Sequence, residues 1–298
     1  MPTGRTTARS ALLLLLAGVL AGTANAAVPE RILFPVLGPV YHSNDFGAPR
    51  GSRPHQGNDI MAPRWTPVVA VEAGRIERPS WSSSDCALIL HGTSGTEYWY
   101  LHLNDVGKAG ERAGCVAGVA YAPNFKSGMR VRAGQLVGYV GNSGNARGVS
   151  THLHFELHPD GGSAVSPYRL LRKAPHLLYA VSSDVQRLRL AFFGAVVDTD
   201  DPGTFALRIG EVAASVGWRS KAPSTRRVKL AFAPEVVIER KTARGAIGPG
   251  AVSSAVPGER VTVWTSWFAP TLATQLAKPG ALAAERIRLR GPLRRTRP

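Results

Sequence analysis

The chain is short of cysteine and of acid. Its 298 residues include two cysteines, and 20 Asp+Glu stand against 36 Lys+Arg, for a formal net charge of +16. Two cysteines exclude a disulfide scaffold and a four-cysteine zinc site. Charged residues make up only 19% and hydrophobic residues 44%. That is enough apolar surface for a packed core, which excludes a disordered or collagen-like chain. No heptad pattern and no internal repeat is evident, so a coiled coil or a solenoid is not expected. The length fits one large domain or two ordinary ones.

Long hydrophobic runs are missing as well. The longest, Ala11 to Gly22, has 12 residues, against about 18 needed to span a bilayer. It follows Arg5 and Arg9 and precedes Ala24-Asn25-Ala26, the order of a secretory signal peptide. Cleavage after Ala26 is expected, with a retained anchor as the alternative, and no transmembrane segment is expected after processing. Export places the protein in an oxidising space, where Cys86 and Cys115, with 28 residues between them, can pair. Such a bridge contributes about 3–4 kcal/mol on loop entropy; two unpaired thiols are the alternative.

Charge divides the remainder. Residues 27–174 carry 15 basic and 11 acidic residues, whereas 175–298 carry 19 and 9. The first segment is rich in Gly and Pro between short β-like runs: 68–71, 87–90, 98–101, 136–140 and 152–157. This reads as a mostly β, mainly antiparallel domain. The second segment has strand-like runs at 187–193, 204–209, 228–232, 236–239 and 261–267, and a small β-rich domain is expected there. Ala281 to Arg286 reads as a short helical turn. Arg286, Arg288 and Arg290 alternate with apolar residues or glycine, as on an Arg-faced edge strand with a frayed tail.

Two histidine contexts carry chemistry. In His55-Gln56-Gly57-Asn58-Asp59-Ile60, Gly57 and Pro63 disfavour a helix. A loop running into a strand is expected, with His55 and Asp59 facing one way and Ile60 facing the core. In Thr151-His152-Leu153-His154-Phe155-Glu156-Leu157, the period is two. His152, His154 and Glu156 share one face, and Leu153, Phe155 and Leu157 the other. Imidazole and carboxylate are preferred zinc ligands, and three protein ligands with an open position mark a catalytic zinc site. His55, Asp59 and one of His152 or His154 would supply such a set.

In these motifs the sequence resembles the lysostaphin-type (LytM-like) zinc metalloendopeptidases that cleave peptidoglycan. Further matching stretches are Asp45 to Arg50, Tyr100-Leu101-His102-Leu103 and Val131 to Asn145. The resemblance runs from about Phe34 to Leu171. It implies a LytM-like antiparallel β domain with a groove over 27–174, followed by the basic domain of unknown role over 175–298. It implies His55, Asp59 and His154 as ligands of one Zn2+ per chain, and His102 and His152 as catalytic histidines. All five positions are filled, whereas some members have lost ligands and regulate other hydrolases. The implied activity is hydrolysis of peptide bonds in peptidoglycan by a secreted enzyme. A non-catalytic wall-binding or regulatory protein on the same fold is the alternative.

Two departures concern specificity. Trp65 stands where many relatives have Gly, and Asn104 to Gly128 is longer than the usual connection, with room to reshape the groove. Glu156 reads either as orienting a histidine or as a solvated carboxylate. His42, His91, His158 and His176 read as surface or loop histidines. The glycines of 138–144 lack a following Gly-Lys-Ser/Thr, and Ser143 and Ser150 lack a nucleophile elbow, so tight turns are expected rather than a phosphate cradle or a serine hydrolase. The basic C-terminal segment reads as attachment to anionic cell-wall polymers or as a solvated face. Nucleic acid is not expected as a partner of an exported chain.

Overall fold

A computed structural model of the protein describes residues 28–82, 84–110, 113–182, 186–198, 203–222 and 226–292. The expected signal peptide and the last six residues lie outside them.

The first half is built from β1 (Tyr41–His42), β2 (Pro49–Arg50), β3 (Arg53–Pro54), β4 (Asn58–Met61), β5 (Pro67–Val69), β6 (Gly74–Glu77), β7 (Leu88–Gly92), β8 (Thr96–Leu101), β9 (Met129–Val131), β10 (Leu136–Tyr139), β11 (His152–Pro159) and the short helix α1 (Tyr168–Lys173). Seven strands form one antiparallel sheet in the order β1-β4-β11-β8-β7-β6-β9, while β5 pairs with β10 and β2 with β3. Alternation sets the faces. In β8, Thr96, Tyr98 and Tyr100 are buried, and Glu97, Trp99 and Leu101 are less so. Tyr100 and Tyr98 lie opposite Phe155 and Leu157 of β11, and these four enter the core with Ile60, Leu88, Leu90 and Leu153. Each such side chain contributes about 1.5–3 kcal/mol on burial. Leu101, Trp99 and Glu97 instead lie opposite His154, Glu156 and His158, on the sheet's other face.

The second half holds β12 (Leu190–Asp198), β13 (Thr204–Ala214), β14 (Arg219–Lys221), β15 (Arg227–Lys241), β16 (Ile247–Pro249), β17 (Glu259–Thr265), helix α2 (Leu272–Gln275) and β18 (Ala283–Pro292). The sheet order is β14-β13-β12-β17-β18-β15-β16, and β13 also pairs with β15. That extra pairing closes a five-stranded barrel through β12, β13, β15, β18 and β17. Every pair is antiparallel except β15 with β18. Numbered within the barrel, the strands run 1-2-3-5-4 and back to 1, the connectivity of an OB-type Greek-key barrel. Phe192, Phe205, Leu207, Leu230, Val263 and Ile287 fill its interior. The same cluster runs on into Leu33, Leu37, Val69 and Leu136 of the first half.

Two expectations for the second half are corrected. Ala281 to Arg286 is no helical turn: β18 begins at Ala283 and the helical turn falls earlier, at Leu272–Gln275. There Thr271 and Thr274 form a reciprocal cap. The arginine-alternating segment is not an edge strand either, because β18 is paired on both sides. Closure of the barrel removes the edge that the sequence pattern left open. The runs 228–232 and 236–239 belong to one strand, β15.

Candidate metal centre and cleft

The loop before β4 brings His55 over the strand, and Asp59 sits on β4 directly opposite His154 of β11. Gly57 makes this approach possible. A Cβ there would stand 2.5 Å from the Phe155 carbonyl oxygen, 2.9 Å from His154 Nε2 and 3.0 Å from Glu156 Cγ. His55 Nε2 lies 2.8 Å from His154 Nδ1 and 3.1 Å from Asp59 Oδ1, and His154 Nδ1 lies 3.0 Å from that oxygen. All three atoms fall within 4.8 Å of one another.

Each group is held from behind. His55 Nδ1 donates to the Asp45 carbonyl at 2.9 Å, so Nε2 is the free ring nitrogen. Arg50 donates to Asp59 Oδ2 at 2.6 Å, leaving Oδ1 toward the imidazoles. His154 Nε2 donates to Glu156 Oε1 at 2.8 Å, and Glu156 Oε2 accepts from His158 Nε2 at 2.6 Å. His158 Nδ1 in turn donates to the Gly162 carbonyl. Three donor atoms converge while every opposite atom is engaged, which is how a cation site is prepared. A borderline-soft divalent ion suits two imidazoles and one carboxylate.

The electrostatics agree. Burial raises the Asp59 carboxyl, but bonds to His154 and His55 outweigh it and hold the group well below the usual carboxylate range. Burial lowers His154, yet its bonds to Asp59 and Glu156 more than offset that and lift it to about 9. Burial raises Glu156, and its two histidine partners bring it down to about 2. His158 is raised because its bond to Glu156 outweighs desolvation.

Two further histidines border the site. His152 Nδ1 donates to the Ser150 carbonyl at 2.8 Å, and its Nε2 stands 3.7 Å from Asp59 Oδ1. Burial lowers its pKa, so the ring is neutral at neutral pH. His102 meets His152 edge-on at 5.1 Å and His154 at 5.7 Å between ring centroids. Its backbone is left-handed, φ 59°. Asp85 holds it there: Oδ1 accepts the His102 amide at 3.0 Å, and Oδ2 lies 3.2 Å from Nδ1. The Ser143 carbonyl also accepts from His102 Nδ1, at 3.1 Å.

The five histidine and aspartate positions singled out in the sequence thus meet along one cleft of about 860 Å3. Its walls carry Arg50 and Arg53 as well as Trp81, Trp99, Asn145 and Val149. Trp81 packs on Trp99, and Trp99 stacks on His158 at 4.4 Å. His158 is therefore no surface histidine: it is buried and ends a chain of bonds reaching the candidate metal centre. Period two already put it on the polar face of β11, beside His152, His154 and Glu156. Asp85 and Arg50 act only through the tertiary fold, and no spacing pointed to them. Of the other histidines, His176 stacks on Phe34 at 3.9 Å, and His91 pairs with Glu77 and Glu97.

The departures have a structural account. Trp65 has φ 69°, a left-handed conformation that glycine adopts without cost. The indole packs on Tyr139 at 5.3 Å and lies under Lys108 Nζ at 5.2 Å, so the two departures touch. Cys115 is disulfide-bonded to Cys86, tying the 104–128 segment beside Asp85. None of the described residues of that segment lines the cleft.

A β groove with two imidazoles and a carboxylate at its floor, and two more imidazoles alongside, defines a candidate metallopeptidase centre. Comparison with known proteins gives the family: residues 53–167 match Peptidase family M23, so the chain carries an M23 peptidase domain. It is 28% identical over 131 residues to the L-Ala--D-Glu endopeptidase of Bacillus subtilis, covering 41% of this chain and 36% of that protein. It is 28% identical over 105 residues to lysostaphin of Staphylococcus simulans, covering 34% and 17%. The solved catalytic domain of lysostaphin from that organism superposes with TM-score 0.33 at 25% identity, over 44% of this chain and 90% of that domain. The chain thus spans about a third or less of the length of these two relatives.

Proposed function

We propose that the protein is an exported, zinc-dependent endopeptidase that hydrolyses peptide bonds in peptidoglycan, with His55, Asp59 and His154 holding one zinc ion. The observation that carries this reading is the convergence of those three donor atoms beside His102 and His152 in an open cleft. Zinc held there supplies Lewis acidity, polarising the scissile carbonyl and acidifying an attacking water. His152, kept neutral by burial and donating from Nδ1 to Ser150, presents Nε2 as a proton acceptor. His102, fixed through Nδ1 by Ser143 and Asp85, directs its Nε2 toward the same space, where it can bond a developing oxyanion. Trp81 and Trp99 offer apolar surface, and Arg50 and Arg53 offer positive charge for the carboxylates of a wall peptide. The peptidoglycan substrate is drawn from the M23 relatives and from the signal-like N-terminus. Among the described residues no helix is long and apolar enough to cross a membrane.

The test is digestion of purified sacculi with and without chelator. Soluble peptide fragments that vanish with chelator and return with zinc support the enzyme. His154→Ala is expected to lose both zinc and activity. His102→Ala and His152→Ala are expected to keep zinc and lose turnover by roughly 100-fold or more. A His154→Ala protein with full activity overturns the ligand assignment, and chelator-insensitive wall binding without cleavage favours a non-catalytic role.

A further inference from the structure

The barrel's outer surface carries a row of arginines that the metal centre does not use. Arg227 of β15 lies directly opposite Arg208 of β13. Arg208 lies opposite Ala195 of β12, and Ala195 opposite Arg260 of β17. Arg227, Arg208 and Arg260 are exposed, and Val228, Leu207, Ile209 and Val261 beside them point into the core. Neighbouring strands lie about 4.8 Å apart, so the row spans about 14 Å across four strands. None of the three has a carboxylate partner among the described residues. Four other arginines of this half differ: Arg219 pairs with Glu211, Arg189 with Glu285, and Arg286 and Arg288 with Glu239.

Like charges placed directly opposite across two strands cost stability. Arg208 and Arg227 do this with no carboxylate paired to either among the described residues, while Ala195 keeps the middle of the row low and open. Beside it, Phe193 and Trp264 stand out from the barrel with Arg219 and Arg288 over their rings, each about 5.1 Å away. Unpaired guanidiniums in a line, next to aromatic surface on an OB-type barrel, fit an extended polyanion rather than a compact ligand.

We propose that this row binds an anionic polysaccharide or polyol-phosphate chain of the cell envelope, holding the peptidase on its substrate. The partner rests on the wall-peptidase reading above; the surface does not. Acid groups recurring along a flexible chain would meet Arg227, Arg208 and Arg260 in turn, with sugar or polyol carbons over Ala195. The positive charge of the C-terminal half then works through β13, β15 and β17 rather than through the arginines of β18, two of which are tied to Glu239.

The experiment uses the full-length processed protein carrying His154→Ala, so that binding is read without cleavage. Binding to polyglycerol phosphate, to polyglucuronate, to uncharged dextran and to a single-stranded oligonucleotide is measured against salt. Either acidic polymer is expected to bind with an affinity that falls steeply with salt, and dextran not to bind; phosphate against uronate preference identifies the source of the anion. Arg208→Gln/Arg227→Gln/Arg260→Gln is expected to weaken binding at least tenfold and flatten the salt dependence. Its melting temperature should be unchanged or higher, because repulsion is relieved. The same three changes in the active protein should leave cleavage of a short soluble peptide unchanged. Undiminished polymer binding by the triple variant overturns the proposal, as does tenfold tighter binding of the oligonucleotide. Arginine-dependent polymer binding with no peptide cleavage by the parent supports the surface while sinking the peptidase reading.

Discussion

Glu156 offers the sharpest test of how the candidate metal centre is held. It is 5% exposed and bridges His154 and His158 through separate oxygens at 2.8 and 2.6 Å. Its carboxyl is lowered from 4.5 to about 2 by those bonds. A depressed carboxylate stabilises the fold above its unfolded pKa and loses that contribution as pH falls through its folded one. The window here is therefore pH 4.5 down to about 2. At 1.36 kcal/mol per unit, the full contribution at neutral pH is about 3 kcal/mol. Glu156→Gln keeps the shape but removes the charge, and its amide cannot accept through both ends. In the presence of chelator, urea melts at pH 7 should show a loss of about 2–3 kcal/mol. The gap from the parent should narrow as pH falls from 4.5 toward 2. Zinc affinity should fall about 10–100-fold, because the carboxylate orients His154 and raises its basicity. A variant as stable as the parent at pH 7, with unchanged zinc affinity, would mean that Glu156 is a bystander.

Other outcomes follow from the same geometry. Gly57→Ala should separate the His55 loop from β11, costing about 1–3 kcal/mol in thermal melts and most of the zinc affinity; wild-type zinc uptake would refute the close-packing argument. Because bonds to Asp59 and Glu156 outweigh burial and lift His154 to about 9, a zinc ion bound there would have to displace its proton. Apparent affinity should therefore rise about tenfold per pH unit between pH 7 and 9, and calorimetry in buffers of different ionisation enthalpy should detect one released proton; a flat profile contradicts the assignment. Replacing Cys86 and Cys115 together by serine should cost about 3–4 kcal/mol in chemical denaturation, and equal stability would show that the bridge closes no entropically costly loop.

Much of the centre was legible because a strand writes its faces into the sequence. His152, His154 and Glu156 alternate with Leu153, Phe155 and Leu157, and the apolar set could go nowhere but the core. The same rule covers His158, which stands one period beyond Glu156 on that polar face. For the His55–Asp59 pair, Gly57 and Pro63 excluded a helix, and the loop-to-strand reading holds. Asp85 was not legible, because its partner His102 lies 17 positions away and meets it only through the left-handed turn at the end of β8. In the second half, the alternation of Arg286, Arg288 and Arg290 announced a strand but not its neighbours. Strand order depends on which edges close, and closure is decided by packing between distant segments.

The sequence by itself determined the mostly β character, the polar face of β11, the two histidine motifs and the uneven charge between the halves. These follow from local period and composition, which every stretch of chain carries without reference to the rest. The tertiary structure alone decided that His55, Asp59 and His154 share one point in space, that Asp85 and Glu156 brace them, and that Arg208, Arg227 and Arg260 stand in one row. Such meetings join residues up to 99 positions apart, and register and barrel closure, not local propensity, bring them together.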